Sequence, residues 1–287
     1  MAKIGIIGGS GLYNIEGIVN LKEQKISTPF GNPSDVLVTG TLESVDVAFL
    51  PRHGRGHPIS PSEINYRANI YAMKVLGVEA IISVSACGSL KEEMAPMDFV
   101  VPDQFVDRTN RGRISTFFTD GIVAHVAFAD PVSPELTKIL VESAKEIGVN
   151  VHDGATYVNM EGPQFSTRAE SNLYRSWGMD IIGMTNMTEA KLAREAEISY
   201  ATLASVTDYD CWYEGHDSVT VEMIIEYLNK NVDNAKKILK IAIPKIGALD
   251  SFSAANALKF AIITNPELIS EKRKGELEPI IGKYIKP

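Results

Sequence analysis

Short apolar runs rich in β-branched residues alternate with helix-patterned segments along most of this chain, and that alternation leaves few architectures open. Lys3 to Ile7, Asp35 to Thr39, Val45 to Leu50, Glu79 to Val84, Phe99 to Phe105, Ala155 to Met160, Asp180 to Met184 and Ser199 to Val206 have the length and composition of buried or half-buried strands. Helical signals lie between them. Ser60-Pro61-Ser62-Glu63 offers a capping serine, a first-position proline and a box-closing glutamate to a helix that Gly77 ends. Further helices are predicted from Ser133-Pro134 to Gly148, from Ser166 to Gly178 and over Glu189 to Ala196. The longest runs from about Thr220 to Ile246, where Val221, Ile224, Ile225 and Leu228 repeat at helical spacing. The pattern predicts an α/β fold, a central mixed β-sheet flanked by helices on both faces. No linker or repeat interrupts it. Residues 1–287 are therefore expected to form a single domain, with a helical tail from about residue 248 that is available to a neighbouring subunit.

A formal net charge of −8 argues against a general nucleic-acid or membrane-surface binder, which needs a basic footprint to release counterions. Any anion site must be built locally. Cys87 and Cys211 stand far apart and form no CxxC, so they suggest neither a disulfide framework nor a zinc cluster. Met1-Ala2-Lys3 leads straight into the first strand and no apolar run is long enough to span a membrane, so a cytoplasmic protein is expected.

Several loops at strand ends carry chemistry. Gly5-Ile6-Ile7-Gly8-Gly9-Ser10-Gly11 lacks both the third glycine of a dinucleotide fingerprint and the lysine of a Walker loop, which leaves an anion cradle or a structural turn. Pro51-Arg52-His53-Gly54-Arg55-Gly56-His57 places a guanidinium fork and imidazoles in a glycine-rich loop. Arg52 suits phosphate oxygens and His53 offers a further donor, against the plainer alternative of a solvated basic turn. Ser83-Val84-Ser85-Ala86-Cys87-Gly88-Ser89 ends a buried strand in small residues, where Ser85 and backbone N–H groups can close a cradle; Cys87 reads better as packing than as a nucleophile. Phe165 follows a tight turn and can stack on a flat base or simply fill core. Thr207-Asp208-Tyr209-Asp210-Cys211-Trp212 puts two carboxylates two residues apart on one side of a strand end. In a semi-apolar pocket one of them can hold a proton at neutral pH, with calcium or magnesium binding as the rival reading.

Taken together, these blocks make the chain resemble the trimeric purine nucleoside phosphorylases over almost its whole length up to about Gly247. The resemblance rests on the Gly5–Gly11 loop, Arg52-His53-Gly54-Arg55, Asn65-Tyr66 with Ala68-Asn69, Ala86-Cys87-Gly88-Ser89-Leu90, Asp103 to Thr109, Glu161-Gly162-Pro163 with Phe165-Ser166, and Thr207 to Trp212. It implies a nucleoside phosphorylase-like fold in which Ser10, Arg52, His53, Ser85, Ala86 and Thr185 hold phosphate. It further implies that Met184 meets the ribose, that Phe165 packs on the base, and that Asp208 and Asp210 read the purine. Ser166 and Asp208 replace the glutamate and asparagine of 6-oxopurine-specific relatives, which favours a 6-aminopurine. His125, supplied by an adjacent subunit, with Val221 and Ile224, falls where the resemblance implies an apolar pocket for a 5′-methylthio group. Ser10 and Gly183 stand where the mammalian pattern has threonine and asparagine, and Thr188 occupies the usual proline position before Glu189.

The activity so implied is phosphorolysis of 5′-deoxy-5′-methylthioadenosine, with no cofactor and inorganic phosphate as co-substrate. The resemblance also implies a homotrimer or a dimer of trimers, acting on small molecules rather than nucleic acid or membrane. The alternatives are a 6-oxopurine nucleoside or methylthioinosine phosphorylase, a hydrolytic nucleosidase, and a purine-binding sensor without chemistry.

Overall fold

The computed structural model describes residues 3–9, 12, 15–110, 112–213 and 221–285, with the side chains of residues 221–226 and 228 outside the description. The strands are Lys3–Gly8 (β1), Val19–Gln24 (β2), Leu37–Leu42 (β3), Val45–Pro51 (β4), Val78–Ser89 (β5), Phe99–Val101 (β6), Gln104–Arg108 (β7), Val151–Asp153 (β8), Thr156–Met160 (β9), Ile181–Gly183 (β10) and Ser199–Asp208 (β11). The helices are Tyr66–Val75 (α1), Pro134–Glu146 (α2), Arg168–Ser176 (α3), Asn186–Glu195 (α4), Val221–Gly247 (α5), Glu271–Glu276 (α6) and Glu278–Ile281 (α7). The strands form one mixed sheet ordered β2-β3-β4-β1-β5-β10-β9-β7, and β11, β6 and β8 branch from β5.

The long strand β5 organises the site. β1 runs parallel to its first half, with Ile7 opposite Ser83, and β10 pairs antiparallel with its last two residues, Gly88 and Ser89. β11 runs beside it almost throughout, from Ala80 to Gly88. Between the last partner from β1 and the first from β10, residues 84–87 have neither of those strands beside them. Ligands of open α/β sheets bind at such a switch of neighbours beyond the strand ends.

Two apolar layers cover the sheet. On one face Leu136, Leu140, Ile238, Leu239 and Ile243 of α2 and α5 pack on Ile4, Ile6, Ile82 and Leu203. On the other, Ile70, Ala190, Leu192 and the tail residues Leu258, Leu277 and Ile281 pack on Ile7, Leu50 and Ile81. Burial of such side chains, roughly 1.5–3 kcal/mol each, is the main force holding helices to strands.

The structure corrects several local expectations. The strand predicted over Phe99 to Phe105 breaks into β6 and β7, because Pro102 brings no N–H to a ladder and the amides of Asp103 and Gln104 both donate to Ala155. Ser60 and Glu63 do bond to each other, but they close a turn; α1 starts later, capped by Asn65 Oδ1 accepting from the Ala68 amide. α3 is capped by Thr167, whose capping box with Glu170 is complete. The tail is mostly turns with two short helices, and much of its apolar surface is spent on its own chain.

Candidate active site

A cavity of about 270 Å³ opens beside β5 and gathers Arg52, His53, Ser85, Ala86, Thr185, Met184, Phe165, Asp208 and Asp210 from five segments distant in sequence. Its two ends differ in chemistry.

At the cationic end, Arg52 follows β4 directly and its amide donates to Gly8. Its guanidinium is buried and heavily engaged. Nε and Nη2 bond the Glu189 carboxylate, Nη2 also bonds Ser83 Oγ, and Nη1 donates to the Val84 carbonyl at 3.2 Å. Among the described residues these bonds use four of the five guanidinium hydrogens and leave one on Nη1. Burial works against its charge, but Glu189 outweighs that penalty and raises its pKa. Thr185 is the N-cap of α4, so the positive end of that helix dipole also borders the cavity. Ser85 Oγ donates to the Ala86 carbonyl.

His53 sits in the loop after Arg52, where Nδ1 lies 2.8 Å from the Ile59 carbonyl, so its first N–H is committed to the backbone. The ring stacks on His57, with centroids 4.0 Å apart and planes 13° from parallel. Burial first, then the Arg52 charge, pushes the His53 pKa down to about 4, and the same causes lower that of His57. Gly54 and Gly56, at φ values of 72° and 81°, permit the turn that makes this stack.

At the acidic end, β11 delivers Asp208, whose Oδ2 accepts from Thr207 Oγ1 at 2.7 Å and whose Oδ1 accepts from the Asp210 amide at 2.8 Å. The strand stops there. Asp210 is turned by a left-handed backbone at φ 49°, so the pair is brought together by a turn and not by the two-residue pleat predicted from sequence. Burial raises both carboxyls, Asp210 to about 6, and the neighbouring Asp208 charge adds to the rise at Asp210. Among the described residues Asp210 Oδ2 is buried with no hydrogen bond of ordinary geometry, the nearby Ser171 and Ser166 hydroxyls only tempering the rise in its pKa, so a bound N–H group can satisfy it.

Behind the cavity, Arg113 ties the Met184 and Glu161 carbonyls together and pairs with the Glu161 carboxylate at 3.1 Å, which also accepts from Ser62 Oγ. Trp212 Nε1 donates to the Ser89 carbonyl, and Arg175 lies over its ring at 3.6 Å, pinning the loop that carries the two aspartates. Gly183 makes room for Tyr157. A Cβ there would fall on the Tyr157 hydroxyl, which donates to Asn186 at 3.0 Å.

Other expected residues fall elsewhere. Ser166 is buried, with Oγ 3.7 Å from Met160 Sδ and its carbonyl accepting from Cys211; it does not line the cavity. His125 is exposed on the bridge that pairs Ala124 with Ile262, and it does not line its own chain's cavity. Ser10 and the side chains of Val221 and Ile224 lie outside the described residues. Burial lifts the Cys87 thiol well above its ordinary value, which disfavours a nucleophilic thiolate. Sequence reasoning missed His57 as a lining residue, although it stood in the same basic motif. It also missed Glu189 as the partner of Arg52, for which no local signal exists.

The geometry finds its counterpart among known proteins. A family model described as the phosphorylase superfamily matches residues 3–244. The S-methyl-5'-thioadenosine phosphorylase of Geobacter sulfurreducens is 56% identical over 98% of this chain and 99% of its own length. A crystal structure of a methylthioadenosine phosphorylase from an Antarctic soil metagenomic library is 52% identical and superposes with a TM-score of 0.93, covering 97% of this chain and 98% of that one. A variant of the Schistosoma mansoni adenosine/methylthioadenosine phosphorylase, solved in complex with methylthioadenosine, is 40% identical with a TM-score of 0.83 over 90% of this chain and 96% of that one. This chain therefore belongs to the phosphorylase superfamily.

Proposed function

We propose that this enzyme cleaves the N-glycosidic bond of 5′-deoxy-5′-methylthioadenosine with inorganic phosphate, releasing adenine and 5-methylthioribose 1-phosphate. The observation that carries the reading is the polarity of one cavity, with Arg52 and the α4 N-terminus at one end and the raised carboxyls of Asp208 and Asp210 at the other. Near-full-length identity to methylthioadenosine phosphorylases supports it.

In this reading the anion sits by Arg52, His53, Ser85, Ala86 and Thr185, with Ser10 completing the cradle. Phosphate attacks the anomeric carbon as the bond to the purine breaks and the sugar gains oxocarbenium character. Asp208 hydrogen-bonds or protonates N7 of the departing base, and Asp210 accepts from the 6-amino group. Proton transfer to the leaving base is possible near neutrality because burial favours the acid form of both carboxyls. Phe165 packs on the base and Met184 on the ribose. No cofactor is required. His125 of an adjacent subunit, with Val221 and Ile224, forms the 5′ pocket, which requires an oligomer; the homotrimer or dimer of trimers is the assembly that the resemblance implies, and a cytoplasmic setting suits the two free cysteines.

The test is a substrate panel with and without phosphate. Methylthioadenosine should be the best substrate, adenosine slower, methylthioinosine poor, and turnover should vanish without phosphate. Base release that continues without phosphate would make the protein a nucleosidase. A preference for methylthioinosine would overturn the 6-amino assignment.

A further inference from the structure

We propose that Asn231 is a positioning residue for Asp208: its side-chain amide holds the Val206 carbonyl where β11 slips by one residue, and so sets the angle at which the Asp208 carboxyl meets the departing purine. The inference rests on the reading of Asp208 as the acid of this cavity.

β11 does not reach the site as a regular strand. It keeps register with β5 from Ser199 opposite Ala80 to Val206 opposite Cys87, and the next pair is Asp208 with Gly88, so Thr207 is an extra residue. In an unbroken strand residues 206 and 208 share a face. Here Val206 is buried in an apolar cluster with Cys87, Val100 and Ala204, whereas Asp208 borders the cavity. An extra residue of this kind bends the strand and re-aims the side chains beyond it, so whatever fixes the bulge also fixes Asp208.

Two donors converge on the carbonyl immediately before that extra residue. The Met97 amide donates to it at 2.9 Å from a left-handed backbone, at φ 80°, and the Val206 amide donates in turn to the Asp98 carbonyl at 2.9 Å. The second donor is Nδ2 of the buried Asn231 on α5, at 3.2 Å. Stability alone is a poor reason for an amide there. Its Oδ1 is buried and, among the described residues, has no hydrogen-bond partner, a standing penalty that a leucine of the same branched shape would not carry. Sequences break such a rule where function needs it, and the hydrogen bond that the Asn231 side chain does make falls two residues before the acid. On the other side of the bulge, Thr207 Oγ1 lies 3.2 Å from the Cys87 carbonyl and 2.7 Å from Asp208 Oδ2, which ties the extra residue to the carboxyl itself.

The experiment is a double-variant cycle on the whole enzyme with methylthioadenosine and phosphate, comparing the unaltered chain, Asn231→Leu, Asp208→Asn and the two changes together. Asn231→Leu keeps the branched shape and removes the donor to Val206. It should lower kcat about tenfold or more and leave the phosphate KM within about twofold, because a displaced carboxyl loses the geometry of proton transfer while the donors to the anion stay in place. With Asp208→Asn already present, the same change should lower kcat by less than about twofold, since no acid remains to be misaimed. A purely structural role makes the two losses equal, and equal losses overturn the proposal, as does an Asn231→Leu enzyme with full kcat. A kcat that Asp208→Asn leaves unchanged removes the acid role itself, and the proposal with it. Should Asn231→Leu fail to fold, Asn231→Ala removes the same donor without added bulk and is read in the same cycle.

Discussion

The guanidinium of Arg52 lies against the carboxylate of Glu189 with both side chains sealed from solvent, Nη2 to Oε2 at 3.1 Å and Nε on Oε1. Ser83 Oγ and Tyr200 OH add further donors to the same carboxylate. The arginine at the cationic end is therefore held from behind and keeps a single N–H for a ligand, which makes it a positioned donor more than a free fork.

Glu189→Gln preserves shape but strands a buried cation. The expected cost is about 3–5 kcal/mol of stability, measured as a shift in the denaturation midpoint. An anion bound beside Arg52 would partly replace the lost charge, so phosphate should raise the melting temperature of the variant more than that of the unaltered protein. Equal shifts would mean that Arg52 does not face the anion.

Asp210 gives a pH signature. Its folded-state pKa is raised to about 6 by burial and by Asp208, so the native state binds its proton more tightly than the unfolded chain does. That contribution is complete below the ordinary aspartate value of about 4 and is lost as pH rises through about 6. Asp210→Asn removes it. The stability difference between the unaltered chain and the variant, from urea midpoints at a series of pH values, should shift against the unaltered chain across that window and level off above it. A difference independent of pH would show that Asp210 titrates normally.

Asp208→Asn separates chemistry from anion binding. Without an acid beside the leaving purine, kcat should fall by roughly 10²–10⁴-fold, the usual worth of general acid catalysis, while the phosphate KM stays within a few-fold of its original value. A comparable loss in phosphate binding would indicate that the two ends of the cavity are not independent.

The parts of this molecule that sequence made legible are those with local causes. The strands that build the core announce themselves through β-branched runs such as Ala80 to Ile82, and the site loops through small or glycine-rich endings such as Ser85 to Gly88. β2 escaped notice because its alternation stops after Val19 and Leu21, both exposed, and Lys22, Glu23 and Gln24 follow without an apolar partner, so it lacks the sustained pattern of a half-buried strand. The Arg52–Glu189 pair joins residues 137 positions apart, and no period or motif links them. Asp208 and Asp210 were recognisable as a pair, but the left-handed turn at Asp210 that aims the second carboxylate depends on tertiary packing of α3 against that turn.

Gly183 offers the last test, of why this chain carries glycine where the mammalian pattern has asparagine. A Cβ at 183 would collide with the hydroxyl and ring of Tyr157, a fully buried side chain whose OH is anchored on Asn186. The two Asn186 amide hydrogens are in turn shared among Ser83, Tyr200 and Thr202, all within 3.2 Å of Nδ2, so the tyrosine cannot retreat without disturbing the residues behind Arg52. Gly183→Ala should cost about 1–3 kcal/mol by overpacking, read from the urea midpoint. Adding Tyr157→Phe removes the atom in closest conflict and should return part of that loss, although the same change alone is destabilising because it takes a donor from Asn186. Additive penalties in the double variant would show that the two positions do not press on each other, and the glycine would then need another explanation.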